Sequence, residues 1–287
     1  MFIFLFTYIT PHGRVARGHR AAWLAWAALM LGATAPAQAT SGAECLRQAY
    51  PEFWAPPGPG ANGSGPDLRL VSRNGQRFDF DEHKDHLPHA QLINQADLKT
   101  QMAQPYAAGF PAAVPGRHQD PGRMRAEPFF VAMYGATAAQ VQNHLVAVPW
   151  APSGRTLAFT RVNGAALALE RVGRTLAQNP AWAAYVRQPA GSFYWRRIAG
   201  TSRLSVHAFG AAVDFTLPKG LGRYWQWGGC TEEGDCAYPS AVLKEATLQR
   251  VVEVFEQEGF IWGGKWAHFD TVHFEYRPEL VGPACRG

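Results

Sequence analysis

Ser205-Val206-His207-Ala208-Phe209-Gly210-Ala211-Ala212-Val213-Asp214 sets one imidazole and one carboxylate in a run otherwise made of small and apolar residues. Both side chains are good zinc ligands. Their separation of seven is odd, so on one straight strand they point to opposite faces. For both to reach one ion, His207 must lie on a loop or bend and Asp214 on the strand that follows, with Gly210 as the place for the bend. The chain holds ten His, so such a pair also arises by chance. Its meaning depends on a third ligand and a base elsewhere.

Both are supplied nearer the C-terminus, where residues 260–276 read Phe-Ile-Trp-Gly-Gly-Lys-Trp-Ala-His-Phe-Asp-Thr-Val-His-Phe-Glu-Tyr. His273 and Glu275 differ by two and share a face of a strand. Asp270 stands three residues before His273, close enough for a turn to bring it back. His273 is therefore the natural third ligand and Asp270 the natural carboxylate beside an open metal position. The competing reading is an aromatic, half-buried strand whose polar groups pair among themselves.

The surrounding pattern is α+β: a small antiparallel sheet carrying the zinc site, flanked by helices, with an N-terminal extension. A short helix is expected over residues 43–50 and a loop over 56–66, where Pro and Gly are dense. Residues 68–80 alternate around Asn74-Gly75 and read as a hairpin. Residues 81–89 hold His83, His86 and His89 among charged residues and Pro88, which favours a solvated loop over a metal site. Residues 104–122 look irregular. Helices are expected over 128–134 and 136–145, broken at Gly135, then strands over 145–148 and 157–162. Asn163-Gly164 turns the chain into a helix ending near Leu176, and 180–186 is a second helical piece. Residues 240–258 carry apolar residues at helical spacing and read as one core helix closed by Gly259. The organisation expected is a leader over 1–39, an extension over 40–125 and a domain over 126–287 that carries both motif stretches.

The leader is read from Arg14, Arg17 and Arg20, the apolar run 21–35 and Ala37-Gln38-Ala39, which together make a charged, an apolar and a cleavage region of a secretory signal peptide. An uncleaved membrane anchor is the rival, but the run is short for a spanning helix. The apolar stretch 1–9 precedes the arginines and suits a leader poorly, which points to a translation start downstream. The 287-residue chain carries 27 basic and 22 acidic residues, net +5. Removing the leader takes three Arg and no acid, leaving 24 against 22, or +2. So small and dispersed a charge argues against a nucleic-acid partner. Export suits the four cysteines, an even number. We expect Cys230 with Cys236, and Cys45 with Cys285 tying the ends together. A cysteine zinc site is the alternative, without a C-x-x-C spacing to support it.

The two motif stretches resemble the zinc peptidases of the VanX/VanY type. That family takes in D-alanyl-D-alanine carboxypeptidases and dipeptidases and the L-alanoyl-D-glutamate endopeptidases of phage endolysins. Its pattern S-x-H-x-x-G-x-A-x-D falls on Ser205, His207, Gly210, Ala212 and Asp214. A Trp-containing segment follows at 262–266, then an acid three residues before the last His, Asp270 and His273. The resemblance covers about residues 126–280. It implies one zinc ion on His207, Asp214 and His273, with a fourth position for water. It implies Asp270 as the base that takes the water's proton and returns it to the leaving amine. It also implies an Arg before the first His, for which we take Arg196 on the segment 194–197, with Arg197 and Arg203 as alternatives. Glu275 would orient a ligand and is the fallback base. Ser205 would brace a turn, and His268 is an alternative ligand. Trp195, Trp225, Trp227, Trp262 and Trp266 are candidates for a cleft wall or for the core.

The function expected is hydrolysis of peptide bonds in peptidoglycan stem peptides by a periplasmic or secreted enzyme with no stable membrane span after leader cleavage. A catalytically silent, zinc-containing wall-binding module is the alternative, and a peptidase acting on exported proteins a weaker third.

Overall fold

Short apolar strands that cannot bury themselves alone are gathered into one four-stranded antiparallel sheet that the longer helices cover. The computed structural model describes residues 41–57, 68–107, 109–282 and 285. The leader read at 1–39 and most of the loop read at 56–66 lie outside the described residues. In chain order the elements are α1 (Gly42–Ala49), β1 (Arg69–Val71), β2 (Arg77–Asp79), α2 (His89–Gln95), α3 (Leu98–Met102), α4 (Glu127–Tyr134), α5 (Ala138–Gln142), β3 (Leu145–Trp150) and β4 (Arg155–Thr160). Then follow α6 (Ala165–Ala177), α7 (Pro180–Val186), β5 (Pro189–Gly191), β6 (Ala212–Phe215), α8 (Ala246–Gln257), β7 (Phe260–Trp262), β8 (His273–Tyr276) and α9 (Pro278–Val281). The fold is the mixed α+β arrangement expected, helices with small antiparallel sheets.

The main sheet has the order β5-β6-β8-β7, and β1-β2 and β3-β4 form separate hairpins. In β6 and β8 nearly every residue is buried, because helices or chain cover both faces. One face of α8 supplies Leu248, Val251, Val252 and Phe255, all fully buried. Phe255 stacks on Phe274 of β8 with ring centroids 4.0 Å apart. The register between β6 and β8 sets Asp214 directly opposite His273 and Ala212 opposite Glu275. Cross-strand partners have Cβ atoms about 5 Å apart, so this pairing alone brings two of the expected ligands together.

Two helices differ from expectation. The run 240–258 is a 3-10 turn over Ser240–Lys244 followed by α8. Glu245 interrupts them with φ −89° and ψ 91°, and its carboxylate accepts from the Tyr185 hydroxyl at 2.8 Å. The helix expected over 136–145 is only α5, because Leu145 joins β3 and pairs with Thr160.

Residues 41–125 are sewn onto the later chain by buried polar bonds. The Tyr50 hydroxyl donates to Glu279 at 2.5 Å, Gln101 Nε2 donates to Glu279 at 3.0 Å, and the Tyr106 hydroxyl donates to Glu256 at 2.7 Å. Both expected disulfides are present, Cys45–Cys285 and Cys230–Cys236. Among the described residues no helix is long and apolar enough to cross a membrane.

Gly210 is the bend expected before β6. Its φ is +64°, and a Cβ there would lie 2.4 Å from Leu145 Cδ2. Its carbonyl accepts from Thr160 N at 2.9 Å, which holds the bend against β4. Gly210→Ala combines left-handed strain with overpacking and is expected to cost about 2 kcal/mol. A chemical-denaturation midpoint unchanged from wild type would contradict this.

Candidate active site

His207 sits on a 3-10 turn, Val206–Phe209, whose first residue follows Ser205. The Ser205 hydroxyl accepts from His207 N at 3.3 Å, so Ser205 caps this turn. His207 Nδ1 lies 2.8 Å from the Ser192 carbonyl. A carbonyl only accepts, so Nδ1 carries the proton and Nε2 presents a lone pair. That Nε2 lies 3.1 Å from Asp214 Oδ1 and 3.2 Å from His273 Nδ1. His273 repeats the arrangement. Its Nε2 lies 3.1 Å from Glu275 Oε2, and its Nδ1 lies 2.9 Å from Asp214 Oδ1. With the outward ring nitrogens donating to the Ser192 carbonyl and to Glu275, His207 Nε2, His273 Nδ1 and Asp214 Oδ1 would turn three lone pairs toward a cation held between them.

Such a triangle calls for positive charge. Its edges of 2.9, 3.1 and 3.2 Å are close to the roughly 3.3 Å edge of a tetrahedron with ligands about 2.0–2.1 Å from a metal. The donor set therefore fits a small cation held on one side by the protein. The electrostatics agree. Burial opposes a charge on His273, yet its bonds to Asp214 and Glu275 hold its pKa well above the ordinary histidine value. Burial likewise opposes ionisation of Asp214, but His207 and His273 hold its carboxyl well below the usual range.

Glu275 is fully committed. Against burial, His273 and Arg277 hold its pKa down to about 2, and Arg277 Nη1 donates to its second oxygen at 2.8 Å. It shares a face with His273 as expected and orients that ring, which leaves it poorly placed as a base.

Asp270 lies on the turn into β8. Its N–H donates to the Gly263 carbonyl at 2.9 Å and its carbonyl accepts from His273 N at 3.2 Å. Gly263 is required by close approach, since a Cβ there would lie 2.6 Å from the Asp270 carbonyl oxygen. Asp270 Oδ1 is buried without a hydrogen-bond partner. Burial, with the Asp214 charge, raises its pKa to about 7, opposed by His273 and His207. In metal-free protein this group destabilises the fold as it ionises. Its contribution is intact below the unfolded carboxylate pKa near 4 and is lost as pH rises through about 7. Metal-free Asp270→Asn is therefore expected to match wild type at pH 4 and to exceed it by about 4 kcal/mol at pH 8. Equal pH dependence of the two proteins in denaturant titrations would refute this.

These groups line a cavity of about 690 Å³, which Arg196, Arg203, Trp225, Trp227 and Trp266 also line. Arg196 reaches it from an exposed position. Arg197 does not line it, because its guanidinium turns back to the Ser202 carbonyl. Arg203, which sequence alone reads equally well as a surface brace, is 3% exposed. Its Nη1 donates to the Arg123 carbonyl at 2.8 Å and its Nε has no partner. Burial, with Arg125 and Arg123 nearby, lowers its pKa to about 9. A buried cation facing the cavity without a carboxylate bonded to it is suited to an anionic ligand.

Of the remaining candidates, Trp262 is buried in the core against Phe110, and Trp195 lines a separate surface depression with Arg197. His268 is not part of the triangle; its Nδ1 lies 2.7 Å from Asp120. His83 and His86 are exposed, as a solvated loop requires, whereas His89 turns inward toward Asp120 and Glu232. Sequence reasoning gave no role to Arg123 and Arg125, which sit in the irregular stretch before α4. The Gly-Arg-Met-Arg run was their only signal.

Residues 199–276 match the family described as D-alanyl-D-alanine carboxypeptidase, the family the motifs resemble. The match takes in both motif stretches and supports a peptidase, a hydrolase of the D-alanyl-D-alanine carboxypeptidase type. No curated protein and no solved structure matches the chain.

Proposed function

We propose that the chain is a zinc-dependent peptidase that hydrolyses peptidoglycan stem peptides outside the cytoplasm, with His207, Asp214 and His273 as the ligands of one ion. The observation that carries this reading is the triangle of inward lone pairs with Asp270 in the same cavity. Zinc on three protein ligands supplies Lewis acidity, making water acidic near neutral pH and polarising a carbonyl.

The chain's own residues do the rest. Ser192 and Glu275 fix the two ring tautomers. Asp270, with Oδ1 free, takes a proton from the attacking water and delivers it to the leaving amine. Arg196 reaches the cavity from its rim and is placed to meet charge developing on the carbonyl oxygen. Arg203 holds a substrate carboxylate at depth. A free C-terminal carboxylate is the natural partner for it, which favours the carboxypeptidase reaction over internal cleavage. The two disulfides support an oxidising compartment, periplasmic or secreted.

The reading is tested by mass spectrometry of muropeptides digested with zinc-loaded and chelator-treated protein. Release of D-Ala that stops on chelation supports it. Zinc-loaded protein that binds wall material yet leaves every muropeptide intact would place it instead among silent binding modules. Arg203→Met is expected to lower kcat/KM about 10- to 100-fold on substrates with a free carboxylate. On C-terminally amidated analogues it should change little, and an equal loss on both would remove Arg203 from carboxylate binding.

A further inference from the structure

A second cluster of ligating side chains adjoins the same cavity, which two of its members, Glu232 and His268, line. It joins four distant parts of the chain: His89 at the start of α2, Asp120 on the irregular stretch before α4, Glu232 inside the Cys230–Cys236 loop, and His268 before Asp270. One ligand atom from each lies within 4.8 Å of every other. His89 Nε2 is 3.6 Å from Asp120 Oδ2 and 3.9 Å from Glu232 Oε1, and His268 Nε2 is 3.8 Å from Glu232 Oε1.

Two features suit the cluster to a cation. The His89 side chain is 10% exposed, and its Nε2 is buried without a hydrogen-bond partner while it faces both carboxylates. His268 has acceptors at both ring nitrogens, Asp120 Oδ2 at 2.7 Å and the Glu232 carbonyl at 3.0 Å. A neutral imidazole serves only one of them with its proton. Arg123 is the cation present. It donates to Asp120 Oδ2 at 3.1 Å and to the two Glu232 oxygens at 2.8 and 2.9 Å. One guanidinium against two carboxylates leaves a negative charge over, and each Glu232 oxygen keeps a lone pair.

We propose that His89, Asp120, Glu232 and His268 form a second divalent-cation site, with Arg123 bracing its carboxylates from outside. Two imidazoles and two carboxylates suit zinc. Four protein ligands leave no open position, so this ion is structural where the first is catalytic. It clasps the disulfide loop and the 89–120 stretch onto the segment that carries Asp270.

The test is zinc stoichiometry on purified protein stripped with a chelator, titrated with Zn²⁺ and freed of excess by gel filtration. Wild type is expected to hold two ions per chain, and His207→Ala, His89→Ala and Glu232→Gln one each. His207→Ala removes the first site whatever its role, so the ion it retains reports the second. Cobalt(II) d–d absorption in His207→Ala should disappear when Glu232→Gln is added. This isosteric change keeps the test open should His89→Ala misfold. One ion in wild type that His207→Ala abolishes would overturn the proposal and leave the cluster as an arginine-bridged network. So would a second ion that neither His89→Ala nor Glu232→Gln removes.

Discussion

Asp270→Asn is expected to lower kcat on D-Ala-terminated muropeptides by about a thousandfold while the protein keeps its full zinc content. General acid–base catalysis contributes about 10²- to 10⁴-fold, and no other carboxylate in the site is free to substitute. Asp214 is committed to His207 and His273, and Glu275 to His273 and Arg277. Asn preserves the side chain's shape, so the ligand triangle and the bond from Asp270 N to Gly263 should persist. The measurement is steady-state kinetics beside metal analysis of the same sample. Loss of activity together with loss of zinc would assign Asp270 to the metal's support. Retained activity would move the base elsewhere.

The largest stability effect is expected at Arg277. Its side chain is fully buried and ties three parts of the molecule together. Nε donates to Glu279 at 2.6 Å, and Nη1 donates to Glu275 at 2.8 Å and to the Gly122 carbonyl at 2.7 Å. Glu279 in turn accepts from Tyr50 and Gln101. Removing one partner of a buried ion pair strands the other charge, which costs about 3–5 kcal/mol. Arg277→Met strands two carboxylates, so about 4 kcal/mol is expected at neutral pH. Arg277→Met with Glu279→Leu should be less destabilised than Arg277→Met alone, because one stranded charge is gone. If the double variant is the worse, the network stabilises through something other than charge pairing. Zinc affinity should also fall about 10- to 100-fold in Arg277→Met, since Glu275 then orients His273 less firmly.

Much of the site was legible in residue spacing. The odd separation of His207 and Asp214 requires a bend, and the bend is at Gly210 with positive φ. The even separation of His273 and Glu275 requires a shared strand face, and the two side chains meet at 3.1 Å. The turn returning Asp270 was read from a separation of three, and Asp270 O accepts from His273 N. Helix boundaries were less legible. Periodicity runs through Glu245 unbroken, yet its backbone is non-helical and its carboxylate bonds Tyr185 as the helix starts after it.

By itself the sequence determined most of the elements, an even set of cysteines suited to two bridges and the two motif stretches, because each is written in local spacing or in a count of scarce residues. The β6–β8 register, the burial of Arg203 without a carboxylate and the gathering of His89, Asp120, Glu232 and His268 were decided only by the tertiary structure. His89 stands among exposed charges in the chain, and Arg203 among polar loop residues. What each became depends on which distant segments pack over it, and a side chain's neighbours in sequence do not record that.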